Sequence, residues 1–392
     1  MSPDARRDAG RDTRTVGPSA RPVGPGVRSD VRPAGPTPLG PAGANLVALR
    51  DHNTAVVLGL LRDAGSEGAS RAELAAVAGL TPQAVSKIGA RLRAAGMATD
   101  AGRRASTGGK PPTLLRLVPE AGHAVGLHLD RDAMTATLVD LSGAEVETRT
   151  APLAFGSGAE TVLAEIGALL DGLLPETLLG VGVAAPGPLD HRGGVLGKVT
   201  GFPRWDGYPL RDALAGRLGV PVVIDKDTNA AALGLLPRGG ASSFACLHLG
   251  TGLGAGLVLG GAVHRGERTG AGEFGHQVLQ LDGPLCACGS RGCVEALCLE
   301  AVASGDVGRA AWLLGVGAKN LVRLLDVDLV LLGGRTVLAD AARFEEGVRA
   351  VVGEAARVEV AEARAVVAGA AELALAPLFG GAVGQGASSP SP

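Results

Sequence analysis

The spacing of hydrophobic positions divides the chain into four segments. Residues 1–50 have no hydrophobic period and are rich in Pro, Gly and Arg, so we expect disorder there, with a basic arm that contacts DNA as the alternative. Apolar residues recur at helical and then at alternating spacing over 51–118. Strand-like and helical segments alternate over 119–378, and 379–392 is a Gly-, Ser- and Pro-rich tail that we expect to be disordered.

The segment 51–118 predicts three helices and two strands. A first helix is predicted over 53–62. Ser70 and Glu73 have the spacing of a capping box, and the second helix that follows is predicted to bury Leu74, Val77 and Ala78. A short turn with Gly leads to a third helix, and two strands, 97–99 and 114–118, enclose a loop. This order predicts a winged helix-turn-helix domain.

The third helix predicts a face that reads DNA. Thr81 is its N-cap and Pro82 its first residue, and Val85, Ile88 and Leu92 form its buried stripe. With that stripe inward, the outward positions are Gln83, Ser86, Lys87 and Arg91, whose side-chain types include those that pair with adenine and guanine edges.

The charge of this segment supports the same prediction. The whole chain carries a net charge of −2, yet residues 83–116 hold seven cations and one acid. Three of the cations, Arg103, Arg104 and Lys110, lie in the loop between the strands, where a wing would follow a DNA groove. A helical bundle with a solvated basic face is the alternative.

The alternation over 119–378 predicts an α/β domain of two lobes with a cleft between them. The chain has no uncharged apolar run of about 18 residues, so we expect no transmembrane helix. Its beginning lacks the apolar stretch of a secretory signal, and we expect a cytoplasmic protein.

One cluster of ligand-type residues stands out in the second half of this domain. His276, Cys286, Cys288 and Cys293 lie close together in a polar, Gly-rich run. Three thiolates and one imidazole form the ligand set of a closed tetrahedral site, so we predict structural Zn²⁺, with buried free thiols as the alternative. Cys298 is predicted to be a core thiol on the helix that follows.

Three motifs resemble those of the ROK family (repressors, open reading frames, kinases). They are the run from Gly270 to His276 continued by the cysteines to Glu295, the glycine loop from Leu249 to Gly256, and the stretch from Asp225 to Ala231. The resemblance covers roughly 51–378 and favours the regulator branch with its N-terminal winged helix. It implies an actin/hexokinase-like, ribonuclease H-like fold for the second domain.

The resemblance also implies a sugar site. By motif, Glu273, His276 and Glu295 would bind sugar hydroxyls, and Asp227 would be the catalytic base if the protein is a kinase. The family usually has Asn where this chain has Lys226. Lys226 could favour a phosphorylated or acidic ligand, or it could point to solvent.

Two departures from the family bear on function. Kinases of the family open with a glycine-containing phosphate loop, whereas this chain has His128, Asp130, Arg131 and Asp132 there, and we expect the added bulk and negative charge to repel ATP. The second phosphate loop, 250–256, is retained. Some tens of residues that usually follow Glu295 are missing, which bears on the helical part of the second lobe and on dimer packing.

These observations predict a sugar-responsive transcriptional regulator, a repressor of carbohydrate-metabolism genes. It would bind a two-fold symmetric DNA operator as a homodimer, without catalytic residues. Two rival hypotheses stay open: a sugar kinase with an added DNA-binding domain, and a DNA-binding or docking factor that senses no ligand.

Overall fold

The computed structural model describes residues 46–103, 113–236 and 243–380, except for the side chains of residues 46–50 and of Arg103. These residues belong to one compact unit that begins at Leu46. Within them, no helix has the length and apolar character needed to cross a membrane. Residues 1–45, 104–112, 237–242 and 381–392 lie outside the described residues, and with them most of the segments 1–50 and 379–392 that we expected to be disordered and most of the loop between the two predicted strands.

The first part of the described chain has the element order of a winged helix. Its elements are α1 (Leu46–Asp63), β1 (Ala69–Ser70), α2 (Arg71–Ala78), α3 (Pro82–Ala94), β2 (Ala98–Arg103) and β3 (Thr113–Leu117). The strands form an antiparallel sheet in the order β1-β3-β2. Helix α1 begins seven residues before the predicted start at Asn53, inside the segment for which we expected disorder.

The helix caps and the stripe of α3 agree with the sequence, whereas one burial prediction for α2 is wrong. Ser70 and Glu73 form the capping box, and Thr81 accepts a hydrogen bond from the backbone N–H of Ala84. Helix α2 buries Leu74 and Ala75, but Val77 is 71% exposed and the third predicted core residue, Ala78, is half-buried. The side of α2 that faces the core lies between Leu74 and Ala75. Because a helix turns 100° per residue, Val77 projects away from that side and into solvent.

The first lobe is a five-stranded mixed sheet in the order β10-β7-β4-β5-β6, with two helices packed on one side. Strands β4, β7 and β10 run parallel, and β5 and β6 are antiparallel additions. The elements are β4 (His123–Leu129), β5 (Ala133–Asp140), β6 (Glu145–Pro152), α4 (Ala159–Leu170), β7 (Leu178–Ala185), β8 (Leu189–Asp190), β9 (Val195–Leu196), α5 (Leu210–Leu218) and β10 (Val222–Lys226).

The second lobe repeats this plan with the sheet order β13-β12-β11-β14-β15. Its core lies between the sheet and helices α7, α8 and α10. The elements are α6 (Asp227–Gly234), β11 (Phe244–Leu249), β12 (Leu253–Leu259), β13 (Ala262–Val263), α7 (Val294–Ala303), α8 (Val307–Leu325), β14 (Leu329–Gly333), α9 (Arg335–Ala339), α10 (Ala341–Val352), β15 (Arg357–Val360) and α11 (Ala365–Leu375).

Helices α6 and α11 connect the two lobes. Helix α6 follows β10 of the first lobe and leads to β11 of the second, and α11 follows β15 of the second lobe and packs on β4 and β7 of the first. The approach is close because glycine faces the helix: a Cβ at Gly182 would lie 1.7 Å from the carbonyl oxygen of Ala370. The two sheets therefore meet through this helix pair, and the cleft opens beside it.

Candidate functional site

The cleft between the lobes brings together the residues that the sequence assigned to a ligand. Asp227 is the first residue of α6, Glu273 precedes a 3-10 turn that ends at His276, and Glu295 lies in the first turn of α7. All four line one cavity of about 120 Å³, together with Lys226. Polar groups that converge on one concave site can pair with the hydroxyl groups of a small polyol.

Lys226 lines the cleft and does not point to solvent, which was one of the two alternatives considered for it. Its side chain is only 3% exposed, and its ammonium group donates hydrogen bonds to the carbonyl oxygen of Ala271 at 2.6 Å and to Glu273 Oε1 at 3.1 Å. Its charge is thus offset by Glu273, one of the predicted sugar-binding groups. The lysine orients this carboxylate in the cleft wall, and its predicted preference for an acidic ligand stays a prediction.

A buried ion pair fixes the end of the strand that leads into α6. Asp225 is 1% exposed and accepts hydrogen bonds from Arg265 Nε at 2.6 Å and from Asn229 Nδ2 at 2.8 Å. Buried charges need this kind of pairing, because a lone carboxylate away from water is strongly disfavoured. The two bonds fix the end of β10 and so the position of Asp227, two residues further on.

Glu295 is held between the cleft and the cysteine cluster. Its Oε2 accepts a hydrogen bond from the backbone N–H of Leu253 at 2.8 Å, and Cys286 Sγ lies 3.8 Å from its Oε1. A ligand can therefore use only the remaining lone pairs of this carboxylate. The glycine loop before Leu253 approaches Glu295 closely, since a Cβ at Gly252 would lie 3.1 Å from Oε2.

The four predicted metal ligands meet in space. One ligand atom from each of His276, Cys286, Cys288 and Cys293 lies within 4.8 Å of all the others. Nδ1 of His276 is 3.7 Å from Cys286 Sγ, while its Nε2 is 3.9 Å from Glu273 Oε2. The imidazole thus faces the thiols with one nitrogen and a carboxylate with the other, an arrangement typical of metal-binding histidines.

The chemistry of the thiols fits a bound cation. Burial raises the pKa of Cys293 to about 12, and burial also raises the pKa of Cys286. A hydrogen bond from the backbone N–H of Ser290 lowers the pKa of Cys288. Three thiols in contact could become thiolates together only if a cation offset their charge, and a divalent metal does so directly. The cluster could therefore hold a metal ion.

Cys298 is separate from this cluster, as predicted. It is fully buried on α7, and its thiol faces the carbonyl oxygen of Ala310 on α8. Burial raises its pKa to about 12, so it is a neutral core residue.

The segment that stands in place of the family's first phosphate loop contains an ion pair that the sequence did not predict. Asp132 accepts hydrogen bonds from Arg335 at 2.8 and 2.9 Å, and Asp130 lies 3.9 Å from the same guanidinium group and accepts a bond from Thr251 at 3.1 Å. The two acids share one guanidinium group, which offsets only part of their negative charge, so the expected repulsion of phosphate stays a prediction. An ion pair between the lobes occupies the place of the phosphate loop. No sequence signal marked Arg335, which lies some 200 residues away.

The outer face of α3 is exposed as predicted. Gln83, Lys87 and Arg91 are exposed and Ser86 is half-buried, opposite the buried Val85, Ile88 and Leu92. Arg91 also donates a hydrogen bond to Thr54 of α1 at 2.8 Å, and the hydroxyl of Ser86 donates to the carbonyl oxygen of Pro82. Arg104, Lys110 and the side chain of Arg103 lie outside the described residues.

Together, the two lobes, the helix pair between them and the polar cleft define a sugar-kinase-like domain, which follows a segment with the element order of a winged helix. A family model described as "ROK family" matches residues 124–305. The chain belongs to the ROK family, and its resemblance to the regulator branch extends to named relatives.

Three comparisons describe this similarity. A putative xylose repressor from Caldicellulosiruptor sp. (strain Rt8B.4) is 27% identical over 316 residues, which are 68% of this chain and 79% of the relative. The structure of a ROK family transcriptional regulator, homologous to the E. coli MLC protein, superimposes with a TM-score of 0.67 at 20% identity, over 85% of this chain and 97% of that one. A ROK hexokinase from Thermus thermophilus has a TM-score of 0.52 at 30% identity, over 64% and 96%. The superposition on the regulator extends over more of this chain than the superposition on the hexokinase.

Proposed function

We propose that the protein is a sugar-responsive transcriptional repressor of carbohydrate-metabolism genes. The winged helix would bind an operator through α3, and the cleft would bind a sugar or sugar derivative that changes the affinity for DNA. The proposal rests on two features that occur in one chain. Helix α3 carries exposed cations, and the cleft is lined by four polar groups suited to a polyol. The relative named as a putative xylose repressor supports it.

The DNA contacts in this proposal come from two parts of the winged helix. Gln83, Ser86, Lys87 and Arg91 would read base edges in the major groove, and Arg103, Arg104 and Lys110 of the wing would contact phosphates. Because a two-fold operator matches a two-fold protein, we propose that the chain acts as a homodimer. Operator binding would place its action in the cytoplasm.

In the cleft, Asp227, Glu273, His276 and Glu295 would pair with sugar hydroxyls, and Lys226 would hold Glu273 in place. We propose that the metal of the cysteine cluster is Zn²⁺, since the Cys₃His set matches its preference for sulfur and nitrogen in closed structural sites. It would fix the turn that carries Glu273 and His276 relative to α7.

We propose that no phosphoryl transfer takes place. A phosphoryl donor must be positioned and its charge neutralised at the same time. Here Arg335, which approaches the lost phosphate loop from the second lobe, is paired with Asp132. Burial lowers the pKa of His128, so this imidazole is neutral at pH 7 and adds no positive charge. Asp227 would then accept a hydrogen bond from the sugar and take no proton.

Sugar binding is expected to depend on Glu273. A sugar at 100 times its dissociation constant stabilises the folded protein by about 2.7 kcal/mol, which raises the melting temperature by several degrees. In a thermal-shift panel of pentoses and hexoses that begins with D-xylose, Glu273→Ala should lose this rise, because the ligand loses an acceptor and Lys226 loses its partner. DNA binding without sugar should stay as in the wild type.

The matched control for this experiment is Glu300→Ala, which removes an exposed carboxylate from α7, the helix that also carries Glu295. This variant should keep the full sugar-induced rise. An equal rise in Glu273→Ala and wild type would contradict the assignment of the cleft. If no sugar raises the melting temperature of the wild type, the result supports the rival hypothesis of a DNA-binding or docking factor that senses no ligand.

A further inference from the structure

An ion pair joins α1 of the winged helix to the two lobes of the second domain, the effector lobes. Arg62, near the end of α1, is 4% exposed and donates two hydrogen bonds to the carboxylate of Glu372, at 2.8 and 2.7 Å. Its Nε also donates to the carbonyl oxygen of Ser142 at 3.3 Å, and its guanidinium carbon lies 4.5 Å from the centre of the Phe379 ring. A bidentate, largely buried pair of this kind fixes both position and orientation.

The partner of Arg62 lies on a helix that connects the lobes. Glu372 belongs to α11, which follows β15 of the second lobe and packs across the sheet of the first. Ala371 and Leu375 of the same helix share one hydrophobic core with Val57, Leu58 and Leu61 of α1. The winged helix is therefore attached to one of the two helices through which the lobes are joined.

Helix α11 in turn is in backbone contact with α6, the helix that begins at Asp227. A Cβ at Gly369 of α11 would lie 1.7 Å from the carbonyl oxygen of Ala230, and one at Gly234 of α6 would lie 2.1 Å from that of Ala365. No side chain separates the two helices at this crossing. Because close-packed elements do not deform smoothly, a shift of α6 must move α11 or break the contact.

The surroundings of the ion pair leave space for such a movement. A cavity of about 290 Å³ lies beside the pair and is lined on one side by Leu233, Gly234 and Leu236 at the end of α6, and on another by Ala368 and Glu372 of α11. The end of α6 thus borders the ion pair itself. A chain of direct contacts leads from Asp227 in the cleft to Arg62 in the winged helix.

We propose that α6 and α11 transmit closure of the cleft to the winged helix, and that the Arg62–Glu372 ion pair is the contact through which they do so. This inference rests on the proposed function, because it needs a ligand that closes the cleft and an operator that reports the change. Arg62 and Glu372 are positioning residues: they contact neither the sugar nor the DNA.

The test compares sugar binding, DNA binding and the coupling between them in the same variants. In the wild type, a sugar that raises the melting temperature should change the affinity for an operator fragment by at least about fivefold, within the usual range of allosteric coupling. Glu372→Gln keeps one hydrogen-bond acceptor and removes the charge, and Arg62→Met removes the cation. Each variant should bind both the sugar and the DNA but show a sugar effect below about twofold.

Three further measurements make the result specific. The double variant should lose no more coupling than either single variant, since both remove one interaction. Glu147→Gln, which breaks the exposed pair with Arg149 on β6, is the matched control and should keep the wild-type coupling. In hydrogen exchange, the sugar should change protection in α1 and α11 of the wild type, and only in the lobes of Glu372→Gln.

The outcomes separate the two claims. Variants that bind sugar and DNA and keep the wild-type coupling would overturn the inference while leaving the proposed function intact. A wild type that shows no sugar-induced thermal shift would contradict the proposed function, and the inference would fall with it. Loss of coupling together with retained binding of both ligands would support both.

Discussion

Cys288→Ser is expected to remove the metal. We expect it to lower the stability of the protein more than the replacement of any other single exposed side chain. Purified wild-type chain should contain about one zinc per chain, as a closed four-ligand site requires, and the variant should contain none. We expect its free energy of unfolding to fall by roughly 5 kcal/mol, because structural zinc contributes about 10–16 kcal/mol of apparent binding free energy in zinc-finger peptides and the second lobe keeps its own core.

Exposure makes Cys288 the informative choice. Unlike Cys286 and Cys293, its side chain is exposed, so substitution by Ser removes a metal ligand and almost no packing. Cys298→Ala is the control: this thiol is fully buried, and its loss should cost about 1–2 kcal/mol by cavity formation while the metal stays bound. Elemental analysis and thermal melting of both variants decide the question.

An account without a metal predicts the reverse order, because a buried core thiol then matters more than an exposed one. A folded wild-type protein without metal by elemental analysis, or a Cys288→Ser variant more stable than Cys298→Ala, would contradict the assignment.

Replacing both Lys87 and Arg91 by Ala is expected to reduce operator affinity by about 100-fold or more. A direct base contact contributes about 1–3 kcal/mol, and each 1.4 kcal/mol corresponds to a factor of ten. The fold should not change, because both side chains are exposed and the buried stripe of α3 is untouched. Genomic footprinting supplies the operator, and titration at fixed salt gives the affinity.

The control removes two positive charges from a different surface. Arg204 and Arg309 are exposed in the effector lobes, and the double variant Arg204→Ala/Arg309→Ala has the same net charge as the Lys87/Arg91 variant. It should bind the operator within about twofold of wild type, since charges far from the contact are screened beyond a Debye length of about 8 Å at physiological salt. An equal loss of operator affinity in both double variants would indicate general charge attraction and would contradict the assignment of α3 as the helix that reads DNA.

The parts of the structure that follow from local pattern could be predicted from the sequence. The alternation of strands and helices over 119–378 and the start of α3 at Pro82 agree with the prediction, because they rest on a clear hydrophobic period and on clear end signals. The metal cluster also followed from sequence, since its four ligands lie within 18 residues and their types are specific for one kind of site. Helix α11 was not predicted: it is Ala-rich and mostly buried, so it has little polar periodicity.

The interactions that the sequence did not predict join residues that are far apart in the chain. Arg62 pairs with Glu372, Arg335 with Asp132, and Lys226 with Glu273. A lone charged residue in the sequence does not show whether it faces solvent or a buried partner. For Asp132 this uncertainty hid the ion pair with Arg335, and for Lys226 it left open a solvent-facing position that the structure contradicts.

The most direct test of the central claim measures operator binding and ATP turnover on one preparation of the metal-loaded chain, with and without a sugar that raises its melting temperature. We predict that the sugar changes the affinity for operator DNA by at least about fivefold and that no ADP is released. A sugar-bound protein with unchanged DNA affinity, and with ADP release above about 1 per second that disappears in Asp227→Ala, would contradict the account and identify a kinase.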